Sequence, residues 1–301
     1  MTEIASQDDF RSGFVSFVGR PNVGKSSLTN ALAEQKIAIT SSKPQTTRKA
    51  IRVIVNTDSS QIILVDTPGV HRPRTLLGER LNTLVEDTLG GVDIIGFCVP
   101  ANEDIGPGDR FINEQLDDYP NTKKIAIVTK IDTVGRDRVV DQLAMVDQLR
   151  DWDAVIPVAE DDRKQLAELK NLLSSLLPVS QALYPAEVIT EESPQSRYAE
   201  LIREAALEDV HDELPHSLAV TIEEVIEGND GELSIYANII VERDSQKGII
   251  IGHKGSQIKK IRKKSRAEIE KIIGRPVTLS LRVTVLKEWQ RDPKFLRRLG
   301  F

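Results

Sequence analysis

Cysteine, histidine, aromatic residues and long apolar runs are all scarce in this chain. Its 301 residues include one Cys, four His, two Trp and four Tyr. A single Cys excludes an internal disulfide framework and suits a reducing compartment. The four His and the Cys lack the spacing of a transition-metal site. The polar, acidic start of the sequence, and the absence of a run of about 18 uncharged apolar residues, predict neither a secretory signal nor a membrane span.

The charge is unevenly distributed. A formal net charge of −6 argues by itself against a nucleic-acid partner, because phosphates select an excess of Lys and Arg. However, residues 245–301 hold 16 Lys and Arg against 4 Asp and Glu, whereas residues 1–244 hold 24 against 42. The β-branched runs and amphipathic spacing of the basic part predict a folded module rather than a disordered arm. A nucleic acid therefore remains a candidate partner for that module.

The first half alternates short β-branched runs with helix-like segments. Such runs at 13–19, 91–100, 123–132 and 153–160 are typical of a buried, mostly parallel sheet with crossover helices. We therefore predict a doubly wound α/β domain over residues 12–178. A Pro-rich segment at 179–194 is interpreted as a linker, and residues 195–301 as a second, smaller α+β domain.

The second domain is predicted to have the order helix, strand, strand, helix, strand. The expected bounds are a helix at about 196–211, strands at about 217–227 and 233–243 joined by a turn at 228–231, a helix at 256–273, a strand at 277–286 and a short basic helix at the end. The run GIIIG at 248–252 is counted among the β-branched runs.

A phosphate-binding loop follows the first predicted strand. Gly19 to Ser26 (GRPNVGKS) fits G-x-x-x-x-G-K-[ST] between a strand and a helix, the context this motif requires. Its glycines let backbone N–H groups surround phosphates, Lys25 can bridge the β- and γ-phosphates, and Ser26 can present a hydroxyl to Mg²⁺. The predicted phosphate-loop residues are Gly19, Asn22, Val23, Gly24, Lys25, Ser26 and Ser27.

Two further segments suit the same nucleotide. Asp66-Thr67-Pro68-Gly69 follows the apolar run IILV, so Asp66 can hold Mg²⁺ through water and the Gly69 N–H can contact the γ-phosphate. One Thr of Thr46-Thr47-Arg48 can close over the metal, and we assign Thr47. The predicted metal ligands are Ser26, Thr47 and Asp66.

Base recognition is assigned to Thr129-Lys130-Ile131-Asp132, after another apolar run. The Asp132 carboxylate can accept two hydrogen bonds from the N1–H and amine of guanine, a pair that adenine does not offer. The Lys130 stem can lie along the base. These motifs together favour GTP over ATP.

The basic module contains a loop suited to RNA. Gly252-His253-Lys254-Gly255 leads into a helix carrying Lys259, Lys260 and Lys263. The pattern matches the GxxG loop of a KH domain, whose glycines permit close approach of an RNA backbone. The element order favours the bacterial, type II form of that fold.

These motifs together carry a family resemblance. GRPNVGKSSLTNAL, KPQTTR, DTPG and TKID resemble the translation-factor-related GTPases, and with GIIIGHKGSQIKKI the chain from about residue 12 to 301 resembles the Era family of bacterial ribosome-assembly GTPases. The resemblance implies a P-loop GTPase domain with a type II KH domain, slow GTP hydrolysis with Mg²⁺, and binding of small-subunit ribosomal RNA near its 3′ end during 30S assembly. It also implies a cytoplasmic monomer, with weak peripheral association with the inner face of the cell membrane left open.

The sequence departs from this family in its base-binding motifs. Thr129 replaces the usual Asn, and the Ser of a later S-A-x element is absent near 158–161. The resemblance places a guanine-contacting N–H there, which we assign to Ala159 although the alignment leaves Glu160 open. We therefore expect retained guanine specificity with weaker nucleotide affinity.

The resemblance also bears on hydrolysis. Val70 follows the DTPG motif, so no Gln positions water there, and Asn22 is by resemblance a K⁺ ligand. Residues 37–49 and 69–80 are the expected moving segments. The candidate catalytic residues are Lys25, Thr47, Gly69 and Asn22.

Two other functions fit parts of the sequence. A P-loop metabolic enzyme would use the nucleotide on a small molecule, with the basic module incidental. A GTPase acting on tRNA or another RNA would share every motif. Only the identity of the bound RNA distinguishes it from a GTPase that binds ribosomal RNA.

Overall fold

The structure divides into two compact units. The computed structural model describes residues 9–41, 43, 46–69, 75–208, 210, 214–228 and 231–299, without the side chain of His216. The first unit takes the described residues of 9–38, 47–69 and 81–191, and the second takes those of 39–46, 75–80 and 192–299. Val70 and the turn residues 229 and 230, used above, lie outside the described residues.

The first unit is built on a six-stranded sheet with the order β2-β3-β1-β4-β5-β6. All neighbouring strands are parallel except β2 and β3, which confirms the predicted doubly wound, mostly parallel sheet. The strands are β1 (Arg11–Val18), β2 (Ile51–Asn56), β3 (Ser60–Asp66), β4 (Ile94–Pro100), β5 (Lys123–Thr129) and β6 (Ala154–Val158).

Helices cover both faces of this sheet. They are α1 (Lys25–Ala33), α2 (Leu76–Leu89), α3 (Pro107–Gln115), α4 (Arg136–Asp147) and α5 (Arg163–Leu176). One apolar cluster joins Val15 of β1 to Leu28 and Leu169, and another joins Phe97 of β4 to Val146. Because the parallel strands run the same way, the ends of β1, β3, β5 and β6 meet at one edge of the sheet, which places their following loops together.

The predicted linker lies along this unit. Residues 179–191 belong to it, and Thr190 forms an antiparallel bridge with Val53 of β2. The N–H of Ile54 donates to the Ile189 carbonyl at 3.0 Å. The linker therefore pairs with the outer edge of β2.

The second unit has a three-stranded sheet with the order β7-β8-β9. The strands β7 (Ala219–Glu227) and β8 (Leu233–Val241) are antiparallel, and β9 (Val277–Val285) is parallel to β8. Its helices are α6 (Pro194–Leu207), α7 (Leu214–Ser217), α8 (Asp244–Ile251), α9 (Ser256–Ile273) and α10 (Pro293–Leu299). Ile202 of α6, Ile239 of β8, and Ile261 and Ile269 of α9 share its apolar core.

The helix α8 corrects the sequence interpretation. The predicted element order has no helix between residues 243 and 256, but Asp244–Ile251 form one, and the run GIIIG contributes its last turn. The Gln246 side chain caps its start by accepting from the N–H groups of Glu242 and Arg243, and Ile250 is buried. Capping and burial together outweigh the β preference of three consecutive Ile residues.

Among the described residues, no helix has the length and apolar character needed to cross a bilayer.

Candidate nucleotide and RNA sites

The phosphate loop connects β1 to α1 with glycines where the backbone requires them. Gly24, the residue before α1, has φ of +101°, and Gly19 has φ of +153°. A Cβ on Gly19 would lie 2.6 Å from the Cys98 carbonyl, so no larger residue fits. Because Gly24 has no side chain with which to cap α1, the N–H groups of the first helical turn can meet a phosphate.

Lys25 lies inside this loop. Its Nζ donates to the carbonyls of Gly19 at 3.0 Å and Arg20 at 2.8 Å. The side chain is buried, and burial lowers the pKa of its ammonium group. The cation is therefore held at the loop centre, where a bound phosphate chain would provide its missing counter-charge.

Three oxygen-bearing side chains meet beside Lys25. Ser26 Oγ donates to Asp66 Oδ2 at 2.8 Å and lies 2.9 Å from Thr47 Oγ1, which is 3.2 Å from the same carboxylate oxygen. The structure thus brings the three predicted metal ligands together, and places Thr47 rather than Thr46 at the carboxylate. Thr46 Oγ1 instead donates to the Lys43 carbonyl.

These side chains fit Mg²⁺. Asp66 is fully buried, and its Oδ1 has no hydrogen-bond partner among the described residues. Burial raises the pKa of Asp66 to about 6, although hydrogen bonds from Ser26 and Thr47 and the charge of Lys25 oppose the shift. A hard cation with oxygen ligands would satisfy the orphaned oxygen and favour the ionised carboxylate.

Gly69 lies against the phosphate loop. A Cβ on Gly69 would be 3.2 Å from the Pro21 nitrogen and 3.4 Å from Lys25 Nζ. The backbone of the DTPG segment therefore reaches the side of the loop where the terminal phosphate would lie.

The base loop is tied to the phosphate loop by two hydrogen bonds. Thr129, at the end of β5, donates from Oγ1 to the Val23 carbonyl at 2.5 Å, and Lys130 Nζ donates to the Asn22 carbonyl at 2.6 Å. Lys130 has φ of +54°, and the turn that follows leaves Asp132 exposed. The Thr129 hydroxyl thus links the end of β5 to the phosphate loop, although Thr129 replaces the usual Asn.

The loop after β6 contains the residues assigned above to the guanine contact. The N–H of Ala159, assigned above to the guanine contact, donates to Gln165 Oε1 at 2.7 Å. Gln165 lies in the first turn of α5, where Asp162 caps the helix by accepting from the N–H groups of Lys164 and Gln165. Sequence reasoning missed Gln165, and its only signal was a polar residue at the start of an amphipathic helix.

An ion pair of Arg20, which the sequence did not predict, holds the phosphate loop in position. Arg20 Nε donates to Asp109 Oδ1 at 2.8 Å, and its Nη2 lies 2.9 Å from a Glu103 oxygen. Asp109 is fully buried in α3, and its other oxygen accepts from the Gly106 N–H. Burial lowers the pKa of Arg20, but the hydrogen bonds and charges of Asp109 and, to a smaller extent, of Glu103 outweigh it and raise that pKa. Arg20 therefore anchors the loop to α3 rather than presenting its charge to a phosphate.

The RNA loop of the second unit lies between α8 and α9. Gly252 has φ of +72° and ψ of 172°, and a Cβ there would lie 2.7 Å from Gln257 Cβ, so only glycine fits. Gly255 also has positive φ, but a Cβ there would meet only Ile258 Cγ2, at the ordinary contact distance of 4.0 Å. The intervening His253 and Lys254, and the nearby helical Lys259, Lys260 and Lys263, are exposed. The structure thus places the predicted cationic residues around one open glycine-bordered loop.

The two sites define a class of protein. A nucleotide loop, a hard-cation site and a guanine-type base loop in the first unit, with a GxxG loop in the second, are the parts of a P-loop GTPase joined to a KH domain. In agreement, a family model described as 50S ribosome-binding GTPase matches residues 14–131, and one described as KH domain matches residues 213–290.

Individual relatives narrow this class. The chain is 64% identical over 295 residues to the GTPase Era of Leifsonia xyli, covering 97% of this chain and 99% of that protein. It is 55% identical over 301 residues to the GTPase Era of Streptomyces coelicolor, covering 97% and 95%. A crystal structure of Era in complex with MgGDPNP and nucleotides 1506–1542 of 16S ribosomal RNA superposes with a TM-score of 0.92 at 34% identity, covering 97% of this chain and 99% of that one. The chain therefore belongs to the Era family of GTPases.

Proposed function

We propose that this GTPase is a switch that binds small-subunit ribosomal RNA near its 3′ end and acts in assembly of the 30S subunit. The observation that carries the proposal is the presence, in one chain, of a complete nucleotide site and an open GxxG loop bordered by exposed cations. The complex of the relative with a 16S ribosomal RNA segment supports the choice of RNA.

Ser26, Thr47 and Asp66 would hold Mg²⁺, which supplies charge neutralisation at the β- and γ-phosphate oxygens. Lys25 contributes a second, pre-placed cation, and the first N–H groups of α1 contribute the positive end of the helix dipole. The backbone of Gly69 lies beside the phosphate loop and can respond to the terminal phosphate. Loss of that phosphate would release both Gly69 and Thr47, which is how a GTPase switch works.

Hydrolysis is proposed to be slow and to depend on K⁺. Val70 stands where other GTPases have a Gln that orients the attacking water, so hydrolysis lacks that contribution. Asn22 is exposed in the loop with φ of +65°, a position from which its amide can reach a monovalent cation beside the phosphates. Hydrolysis should be faster in KCl than in NaCl at equal ionic strength, and Asn22→Ala should remove the difference. Equal rates in the two salts for the unmodified protein would contradict a K⁺ role.

Guanine selection is proposed to depend on Asp132. Replacing its carboxylate by an amide reverses the hydrogen-bonding preference toward a base with a carbonyl at position 2. Asp132→Asn should therefore shift nucleotide preference from GTP to xanthosine triphosphate. Retained GTP preference would show that another residue reads the base.

The RNA assignment is tested by two matched glycine substitutions. Gly255 and Gly274 directly precede and follow α9 with φ of +76° and +70°, and a Cβ on either would meet no atom closer than 4.0 Å. Gly255→Asp puts a negative charge in the GxxG loop, whereas Gly274→Asp makes the same change at the other end of the helix. We expect a 3′-terminal 16S RNA fragment to bind Gly255→Asp at least tenfold more weakly, Gly274→Asp within about threefold of the parent, and GDP equally to both.

Other outcomes would point elsewhere. Equal RNA loss in both variants would indicate only a general effect of charge, and tighter binding of tRNA than of the 16S fragment would favour a different RNA target. Preference for ATP over GTP would favour a metabolic enzyme.

Location and assembly are proposed from the family resemblance and charge. We expect a monomer in the cytoplasm, as the resemblance to the Era family implies. Sedimentation equilibrium tests the monomer, and flotation with anionic lipid vesicles tests weak peripheral membrane binding through the basic part. Concentration-dependent mass growth would contradict the first expectation.

A further inference from the structure

The loop after β6 contains two backbone N–H groups that could meet the guanine O6 atom. Both lie close to the base loop, because Thr129 of β5 pairs with Val158 of β6, and Ala159 and Glu160 follow directly. Guanine O6 is a hydrogen-bond acceptor, whereas adenine carries an amine donor at the same position. A backbone N–H here therefore discriminates guanine from adenine.

The Gln165 side chain distinguishes the two groups. Its Oε1 accepts the Ala159 N–H at 2.7 Å, and Ala159 is buried, with 5% of its surface exposed. Glu160 is exposed, and none of the residues that the structure describes accepts its N–H. Since one N–H is already satisfied by a short, buried bond, a ligand would have to break that bond to use it.

Gln165 is itself held in position. Its own N–H donates to Asp162 Oδ1 at 3.2 Å, so the residue sits in the capped first turn of α5. The Asp162 N–H in turn donates to the Ala159 carbonyl at 3.3 Å. Hydrogen bonds at both Ala159 and Asp162 thus hold the turn, and the two residues between them are exposed to solvent.

We infer that Gln165 is a positioning residue for guanine recognition: by occupying the Ala159 N–H it fixes the loop so that the Glu160 N–H binds guanine O6. Gln165 does not touch the base. It acts from the following helix, and it assigns the O6 contact to the Glu160 N–H rather than to that of Ala159.

The inference is tested with nucleotides that differ at one atom. In 6-thio-GDP a sulfur, a poor acceptor, replaces O6 and leaves the edge facing Asp132 intact, whereas inosine diphosphate lacks only the 2-amine. We expect Gln165→Leu to weaken GDP about fivefold, the value of one ordinary hydrogen bond, and to leave 6-thio-GDP nearly unchanged. The preference for GDP over 6-thio-GDP should collapse while the preference for GDP over inosine diphosphate persists.

Two controls separate positioning from general damage. Gln165→Glu keeps an acceptor for the Ala159 N–H and should retain the O6 preference, and Lys164→Leu makes an equally apolar change at the exposed neighbour and should have no effect. An unchanged O6 preference in Gln165→Leu, or equal loss for all three nucleotides, would overturn the inference.

A proline substitution tests the N–H directly, since proline has no backbone donor. Glu160→Pro should abolish the O6 preference, whereas Glu160→Ala, which keeps the N–H and removes only the side chain, should retain it. The reverse pattern, or loss in both, would overturn the assignment to Glu160.

Discussion

Replacing Asp66 by Asn should stabilise the metal-free protein at neutral pH. The carboxylate is fully buried, and its pKa is raised from the ordinary 3.8 to about 6, chiefly by burial. Asn keeps an oxygen that accepts from Ser26 and Thr47 but carries no charge. The substitution therefore removes a desolvated charge while preserving the local hydrogen bonds.

The magnitude follows from linkage. The unfolded chain loses the Asp66 proton near pH 3.8, whereas the folded protein keeps it until about pH 6. Stability contributed by this group is therefore fully present below pH 3.8 and is lost as the pH rises through 6. The difference in pKa corresponds to about 3 kcal/mol at pH 7.5. The Asp66→Asn variant should be more stable by that amount at pH 7.5, with an advantage that shrinks toward zero near pH 4.

Urea unfolding in EDTA, without nucleotide, measures this difference at pH 4.5, 6 and 7.5. Trp152 stacks on Phe97 in the first unit and reports its unfolding when Trp289 of the second unit is replaced by Phe in both proteins. Adding Mg²⁺ and GDP should reverse the order, because a bound cation then favours the ionised carboxylate and stabilises the native state by mass action. The exposed Asp132, changed to Asn, is the control and should leave stability unaltered.

Two results would refute this reasoning. One is a variant no more stable than the parent at pH 7.5. The other is an advantage that does not change between pH 4.5 and 7.5, which would show that the gain comes from packing or hydrogen bonding and not from ionisation.

Three further changes probe the phosphate loop. Thr129→Val removes the bond to the Val23 carbonyl and should weaken fluorescent GDP binding about fivefold, whereas Thr129→Ser should retain parental affinity. Arg20→Gln leaves the buried Asp109 without its cation and should lower the free energy of unfolding by about 2 kcal/mol. This is less than for a fully buried pair, because Arg20 is 28% exposed. An unchanged urea unfolding curve would show that the Arg20–Asp109 ion pair does not stabilise the fold. Gly69→Ala places a Cβ against the phosphate loop and should slow single-turnover GTP hydrolysis by about 100-fold, while the affinity for GDP stays within about threefold of the parent. A hydrolysis rate equal to that of the parent would contradict the close approach of Gly69 to the loop.

The parts of the site that sequence could predict are those with fixed local spacing. The phosphate loop is contiguous, and its glycines and Lys25 identify it without knowledge of the fold. Asp66 and Thr129 were predictable because each follows an apolar run, and the ends of parallel strands meet at one edge of a sheet. The periodicity of the strands was thus sufficient to bring distant residues together.

Other contacts left no pattern in the sequence. Arg20 and Asp109 are 89 residues apart, and either residue alone reads as an ordinary surface charge. Gln165 meets a backbone N–H, which every residue except proline provides, so no residue type marks its partner. The helix α8 was not predicted, because its three consecutive Ile residues favour β structure, whereas the capping by Gln246 depends on the tertiary position of the preceding strand.

Residues 179–191, which pair with β2, also determine where a fragment containing only the first unit should end. Ile54 and Val53 lie on an outermost strand, and residues 189 and 190 satisfy backbone groups there that would otherwise face solvent. Ending a fragment at residue 178, two residues after the end of α5, would leave an open edge strand able to add a strand from another copy and aggregate. A fragment that continues to Glu191 keeps the edge covered, so the self-contained nucleotide-binding unit is longer than its helices and strands alone suggest.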